Sequence, residues 1–315
     1  MSEAGGPRRA ALPISPALID YGLLATLAAI WGGAFLLVKL AVADIPPVSV
    51  AAGRIAIAAV LLLAAALMSR RALPRRPQAW ALILAVALAG NVAPFTLIAW
   101  GQETVDAGLA AIVMGIGPLA TAALAHLFTT DEKAGPLKLL GLALGLAGVV
   151  VLIGPAKLLG LTQETLRYLA IAGAACGYAI AALFNKRLMA QESFRGVSAG
   201  VMIVSAAILI PASLALDQPW ELDVSDRALA ALILLGIFPT ALANLMLLAI
   251  IRRRGATFFS QINYLVPLSG LAWGMLVLAE EPPPQAFAAL ALILAGVAVA
   301  ARGGRRPAPP TDQTG

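Results

Sequence analysis

The 315-residue chain has one cysteine, Cys176, which excludes an intrachain disulfide and is expected to be a small buried hydrophobe. A single histidine, His126, has no acid one turn away, so a paired-histidine metal site is excluded and a structural role is expected. Charge is scarce: Asp, Glu, Lys and Arg make up 12% of the residues, about half of the roughly 25% usual in soluble domains. No stretch between apolar runs is long enough to fold as a water-soluble domain. None of the sixteen carboxylates falls inside an apolar run; Asp20, Glu103, Asp106 and Glu280 come closest, each at a run's edge. A proton-driven process in a membrane needs a buried group that takes up and releases a proton, and the sequence offers no such carboxylate.

What the chain has in abundance is apolar surface, at 61% of residues. Since about 20 apolar residues cross the hydrocarbon core of a bilayer, runs of that size mark ten spans, at 19–41, 48–68, 79–99, 105–128, 136–154, 166–186, 196–216, 228–251, 256–279 and 285–301. The expected fold is an all-α integral membrane protein with ten transmembrane helices and both termini cytoplasmic. Orientation follows from lysine and arginine. Seventeen of them fall in the tails and alternate loops on one side, against Lys157, Arg167 and Arg227 on the other, and the excess marks the cytoplasmic face. Lys39 and Lys186, at span ends, are read as interface anchors. The basic balance therefore reports topology and implies no nucleic-acid partner. Residues 1–18 form a cytoplasmic tail before an uncleaved first span, and 302–315 a second one.

The chain repeats itself. AGLAAIVMGIGPLATAALAHLFTTDE at 107–132 lies without gaps on ATFFSQINYLVPLSGLAWGMLVLAEE at 256–281, so that Pro118 meets Pro267 and Glu132 meets Glu281. Further on, LALGLAGVVV at 142–151 meets LALILAGVAV at 290–299; earlier, Tyr21, Trp31 and Lys39 meet Tyr168, Tyr178 and Lys186. The expected units are two five-helix repeats, 19–154 and 155–301. Five is odd, so the second is inverted, an arrangement that suits alternating access to a midplane site.

WGGAF at 31–35, the interval from Pro47 to Arg54, AGLAAIVMGIGPL in span four and LLGLALGLAGVVVL at 139–152 together resemble the EamA-type branch of the drug/metabolite transporter superfamily, over essentially residues 19–301. The resemblance implies a ten-helix carrier, often an exporter of amino acids or other small metabolites, with a cavity lined largely by spans three, four, eight and nine. Arg54 meets Ile203 in the second copy, so the fold does not require it twice.

Polar side chains in spans face the bundle interior or water, and helical spacing selects the candidates. Span three offers Asn91 and Phe95, with Trp100 as a lining residue or interfacial anchor. Span four offers Met114, Pro118 and Thr121; span six, Tyr178; span eight, Thr240 and Asn244; span nine, Gln261, Asn263, Tyr264 and Pro267. Prolines 94, 118, 239 and 267 each free a carbonyl that could meet a substrate. Arg54 lies about 10 Å below the outer end of span two, at 1.5 Å per residue. Three roles are open to it: bonding helix carbonyls near an external gate, which is preferred, attracting a substrate carboxylate, or snorkelling outward.

The expected function is secondary export of small metabolites, amino acids first, by uniport or exchange in a bacterial inner membrane. The alternatives are a multidrug or nucleobase efflux carrier, or a structural membrane protein without transport. GVSAG at 196–200 lacks the preceding strand and histidine that a serine nucleophile requires, and GIGPLA at 115–120 follows no strand, so no enzyme is expected. The partners expected are a small-molecule substrate and the lipid bilayer, with the chain a monomer and no metal or cofactor.

Overall fold

The computed structural model describes residues 16–68, 73–128, 134–190 and 192–303. Arg8, Arg9, Arg70, Arg71, Lys133, Arg305, Arg306 and Glu132 of the sequence argument lie outside these residues. The chain is a bundle of apolar helices. In order they are α1 (Pro16–Ala41), α2 (Pro47–Met68), α3 (Pro77–Gln102), α4 (Ala107–Phe128), α5 (Pro136–Ile153), α6 (Gln163–Met189), α7 (Phe194–Leu216), α8 (Asp226–Phe259), α9 (Ile262–Val277) and α10 (Pro284–Arg302). Among the described residues nine are long and apolar enough to cross a membrane, and α9, of 16 residues, is shorter.

The boundary between spans eight and nine differs from expectation. Helical structure continues past Arg254, but Gly255 takes φ +81°, a conformation open to glycine because it has no Cβ. The following turn, Ala256–Phe259, is separated from α9 by a short break at Ser260 and Gln261. Span nine is thus two pieces, and so is α4, which breaks after Met114 and resumes at Gly117.

Two further irregularities shape the centre. α3 widens to a π-turn at Leu88–Val92 and α8 at Gly236–Leu242. Laid on one another by the repeat, these turns coincide, and each has a proline in or just after it, Pro94 or Pro239. Proline removes a ladder donor and clashes with the carbonyl four residues back; a wider turn relieves that clash, and such turns gather at functional sites.

Small residues let helices close on one another. A Cβ on Gly296 of α10 would stand 2.6 Å from the Gly141 carbonyl and 3.0 Å from the Gly145 amide of α5, so this pair packs backbone to backbone. The WGGAF motif acts likewise on α1: a Cβ on Gly32 would lie 2.6 Å from the Gly270 amide of α9. Around that approach, the Ser269 hydroxyl donates to the Ala28 carbonyl (2.7 Å) and the Trp273 indole to the Ala29 carbonyl (2.9 Å).

Several single-residue expectations are corrected. Cys176 is exposed on α6 rather than buried, because the inward stripe of that helix is taken by Ala174, Ala175 and Ala179. Asp20 lies at a span's edge as expected, but it is buried, against the expectation that the chain offers no buried carboxylate, and it accepts from Arg253 Nε at 2.7 Å with Arg254 at 3.7 Å. Lys39 is no interface anchor: its ammonium donates to the carbonyls of Gln102 and Val105, both at 3.0 Å, tying α1 to the α3–α4 corner.

Candidate functional site

Arg54 on α2 is 6% exposed, which excludes snorkelling. Its Nε and one terminal nitrogen donate to the Thr240 hydroxyl on α8, at 3.2 and 3.1 Å. Its guanidinium lies 3.7 Å from the centre of the Phe95 ring on α3, a cation–π contact, and Phe95 meets Tyr178 of α6 edge-on at 6.4 Å between centroids. The helix carbonyls expected as its partners are replaced by a hydroxyl and an aromatic face. Among the described residues no carboxylate pairs with it.

Proline 239 explains why Thr240 can accept. The Thr240 hydroxyl donates to the Leu235 carbonyl at 2.8 Å, one π-turn back, so its lone pairs are left for Arg54. Pro239's own carbonyl accepts from the Trp31 indole at 3.2 Å. The carbonyls expected to meet a substrate at this proline are therefore engaged within the protein.

One turn beyond Thr240 on the same face stands Asn244, whose Oδ1 is buried without a hydrogen-bond partner. An unpaired buried acceptor costs about 1–3 kcal/mol, so this atom is poised for a donor from outside the chain. Asn91 is buried, and its amide nitrogen donates to the Ser205 hydroxyl (3.0 Å) and toward the Met202 sulfur (3.8 Å) of α7. Trp100 lies apart from the Arg54 cluster, with its carbonyl bonded by Arg167 of α6 and its ring 4.0 Å beneath that guanidinium. Arg167 also pairs with Glu103.

Met114 ends the first half of α4 and packs against the main core, and at the break a Cβ on Gly115 would stand 3.1 Å from Pro267 of α9. Pro267 is buried, while Pro118 and Thr121 are half-buried; the Thr121 hydroxyl returns to the Gly117 carbonyl at 3.0 Å. Gln261, Asn263 and Tyr264 lie half-buried where α9 begins. The structure thus gathers Arg54, Phe95, Tyr178 and Thr240, with Asn244 one turn beyond Thr240 and Asn91 one turn before Phe95, and sets Trp100 apart.

The end of the bundle away from the chain termini is closed by ties whose partners the sequence analysis did not identify. Glu280, just beyond α9, accepts from the Ala107 and Gly108 amides at the start of α4, at 2.7 and 2.9 Å. Asp217, after α7, accepts from the Ser49 amide (2.9 Å) and hydroxyl (2.8 Å) on α2. Asp44 accepts from Ser225, and the Gln102 amide donates to the Phe35 carbonyl at 2.8 Å. A signal for the first tie was present: acidic residues end both aligned copies, at 131–132 and 280–281.

Apolar helices long enough to span a bilayer, broken by paired π-turns around a cation without a counter-charge among the described residues, define a multi-pass membrane carrier. The chain belongs to the EamA-like transporter family, which matches it twice, over residues 19–154 and 165–302. It is a transporter and not an enzyme. It is 28% identical over 287 residues to a "Probable amino-acid metabolite efflux pump" of Salmonella typhimurium, covering 88% of this chain and 93% of that one. It is 23% identical over 269 residues to the "Uncharacterized transporter YoaV" of Bacillus subtilis (85% and 91% covered). The "Uncharacterized inner membrane transporter YedA" of Escherichia coli K12 is 26% identical over 257 residues (81% of each). A solved crystal structure shares the fold, with a TM-score of 0.61 and 24% identity over 92% of this chain and 99% of that one.

Proposed function

We propose that the protein exports amino acids by alternating access, binding the α-carboxylate at Arg54 and the α-ammonium at Asn244. One observation carries this reading: Arg54 is buried without a counter-charge among the described residues, and two of its contacts converge on a single oxygen, which leaves donors free. A buried cation is costly until paired, and a carboxylate matches its fork. Thr240, which holds the guanidinium, and Asn244, whose oxygen lacks a donor, are one helical turn apart, roughly 5–6 Å between Cβ atoms. A zwitterion with adjacent carboxylate and ammonium groups suits that spacing. The curated relative from Salmonella typhimurium supports the same substrate class by name.

In this reading the two halves are inverted, both termini are cytoplasmic, the chain acts as a monomer in a bacterial inner membrane, and the tied end faces outward. An empty carrier would have to change sides with its cation uncompensated, which favours exchange over net uniport. The test is flux in proteoliposomes with leucine and its uncharged-carboxyl analogue leucinamide. Leucine efflux is expected to persist with the proton gradient collapsed and to accelerate several-fold with leucine on the far side. Equal transport of the two compounds, or dependence on an imposed pH difference, would refute the proposal.

Asn244→Ala should insert normally and weaken the apparent affinity for leucine roughly five- to hundred-fold, since a charged hydrogen bond is lost. Its affinity for butyrate, which has no ammonium group, should not change. Concentration series with both compounds measure the difference.

A further inference from the structure

We propose that an anionic phospholipid docks at the end of the bundle that carries the chain termini, with its phosphate on the guanidinium groups of Arg253 and Arg254. These two side chains converge on one carboxylate. Asp20 of α1, only 5% exposed, accepts from Arg253 Nε at 2.7 Å and lies 3.7 Å from a terminal nitrogen of Arg254. The second distance is too long for a hydrogen bond. Arg254 is therefore oriented by charge and by the Phe258 ring, whose centre lies 5.1 Å from its guanidinium. The two arginine side chains stay open to the surroundings, at 46% and 41% exposed. Among the described residues Arg253 spends one N–H on Asp20 and Arg254 spends none, so two forks side by side keep donors for an acceptor with several oxygens, as a phosphate has.

Charge selects the sign of the partner. Arg252, also exposed, immediately precedes the pair, and among the described residues Asp20 is the only carboxylate within ion-pairing distance of the three. Glu192, in the loop between α6 and α7, pairs with none of them. Three guanidinium groups against one carboxylate leave a net charge of +2. A zwitterionic lipid brings its own ammonium beside the phosphate and answers this charge poorly; a headgroup with net negative charge answers it well.

Position selects a lipid over a dissolved phosphate. At about 1.5 Å per residue, Arg252 to Arg254 stand roughly 40 Å along α8 from its first residue, Asp226, which is the thickness of a bilayer with its headgroup layers. Ile19 and Tyr21, on either side of Asp20, are 44% and 52% exposed, so apolar surface borders the buried carboxylate. Tyr21 meets Phe258 edge-on at 5.1 Å between centroids, and tyrosine gathers where hydrocarbon gives way to headgroups. Phosphate and acyl chain thus find arginine forks and an apolar border at adjacent depths. The site needs none of the residues grouped around Arg54, yet α8 also carries Thr240 and Asn244, so a lipid held here bears on the helix that frames the central site.

The test is native mass spectrometry of the purified full chain, titrated with phosphatidylglycerol or with phosphatidylcholine of the same acyl chains, with unfolding midpoints as the control for folding. Phosphatidylglycerol should be retained at least about tenfold more tightly, since each arginine near a membrane surface favours an anionic headgroup by roughly fivefold. Arg254→Gln and Arg252→Gln should each weaken its retention about three- to tenfold. Arg254→Lys should stay within about threefold of the wild type, because a point charge still meets a phosphate. Arg227→Gln removes an exposed arginine at the opposite end and should change nothing. Arg54→Ala should bind the lipid as the wild type does, so this site stands or falls apart from the amino-acid reading. Equal retention of the two lipids, losses in Arg227→Gln as large as those in Arg254→Gln, or displacement of phosphatidylglycerol by inorganic phosphate would overturn the proposal, the last by assigning the arginines to a soluble anion.

Discussion

Replacing Arg54 with alanine is expected to lower leucine efflux by roughly 30- to several-thousand-fold, while leucinamide, already a poor substrate, is little affected. Truncating one partner of a buried, hydrogen-bonded charge pair costs about 2–5 kcal/mol, and in the loaded carrier that pair would be the guanidinium and the substrate carboxylate. Lysine should restore less than about a tenth of the activity. It keeps the charge but not the planar fork, and it cannot both bond the Thr240 hydroxyl through two nitrogens and lie 3.7 Å over the Phe95 ring as the guanidinium does. Stability should move the other way. An empty site buries the cation with no carboxylate partner among the described residues, and apolar replacement of buried charge is often neutral or stabilising. Arg54→Met is therefore expected to unfold no earlier than the wild type. If both compounds lose transport equally, or if Arg54→Met lowers the unfolding midpoint by several degrees, Arg54 serves packing instead.

Glu280→Gln is expected to release the tied end. The carboxylate accepts two amide hydrogen bonds at the start of α4, each charge-assisted and worth about 1.5–3 kcal/mol. A further contribution comes from negative charge beside a helix amino end. The approach depends on local backbone: Ala279 takes φ +53° and turns the chain back toward α4. The Gly274 backbone is so close that an added Cβ would stand 3.0 Å from the Gly108 amide. Glutamine keeps one acceptor oxygen but no charge, so even half of this energy shifts a two-state equilibrium by more than tenfold. Spin labels at the exposed positions Thr104 and Glu281, in a Cys176→Ala background, report the separation. Their distance distribution should gain a population longer by about 5 Å or more, with exchange slowed. An unchanged distribution would show that Glu280 does not hold the end closed.

Legibility differed between the fold and the site for a physical reason. The all-helical membrane fold, the doubled plan and the family were readable from residues 19–301, because hydrocarbon thickness imposes a run length of about 20 and repetition preserves prolines and glycines in register. Pro94 and Pro239 were read as freeing carbonyls, and the structure adds that α3 and α8 widen beside them. Thr240 and Asn244 were chosen by spacing on one helix, and the structure sets one against Arg54 and leaves the other's oxygen unpaired.

Partners across helices were not legible. Apolar composition says that a residue can lie in lipid or core without saying which, so Cys176 faces outward although its type is usually buried. Asn91 and Asn244 are the same side chain in comparable helices, yet the amide nitrogen of the first meets the Ser205 hydroxyl while the oxygen of the second is buried without a partner, because the packing of α3 on α7 supplies a hydroxyl to the first. Glu280, Asp217 and Asp20 read alike as carboxylates at span edges. The tertiary structure decided that the first caps α4, the second holds α2 and the third meets Arg253, contacts between residues 168 to 233 positions apart that no local pattern encodes. By itself the sequence determined the helical membrane fold, its doubled plan and the presence of a cation too costly to be incidental. Only the packed helices determined that this cation has a hydroxyl and an aromatic ring for neighbours and no carboxylate among the described residues, because hydrogen bonds and ion pairs depend on distances that the chain acquires when remote segments meet.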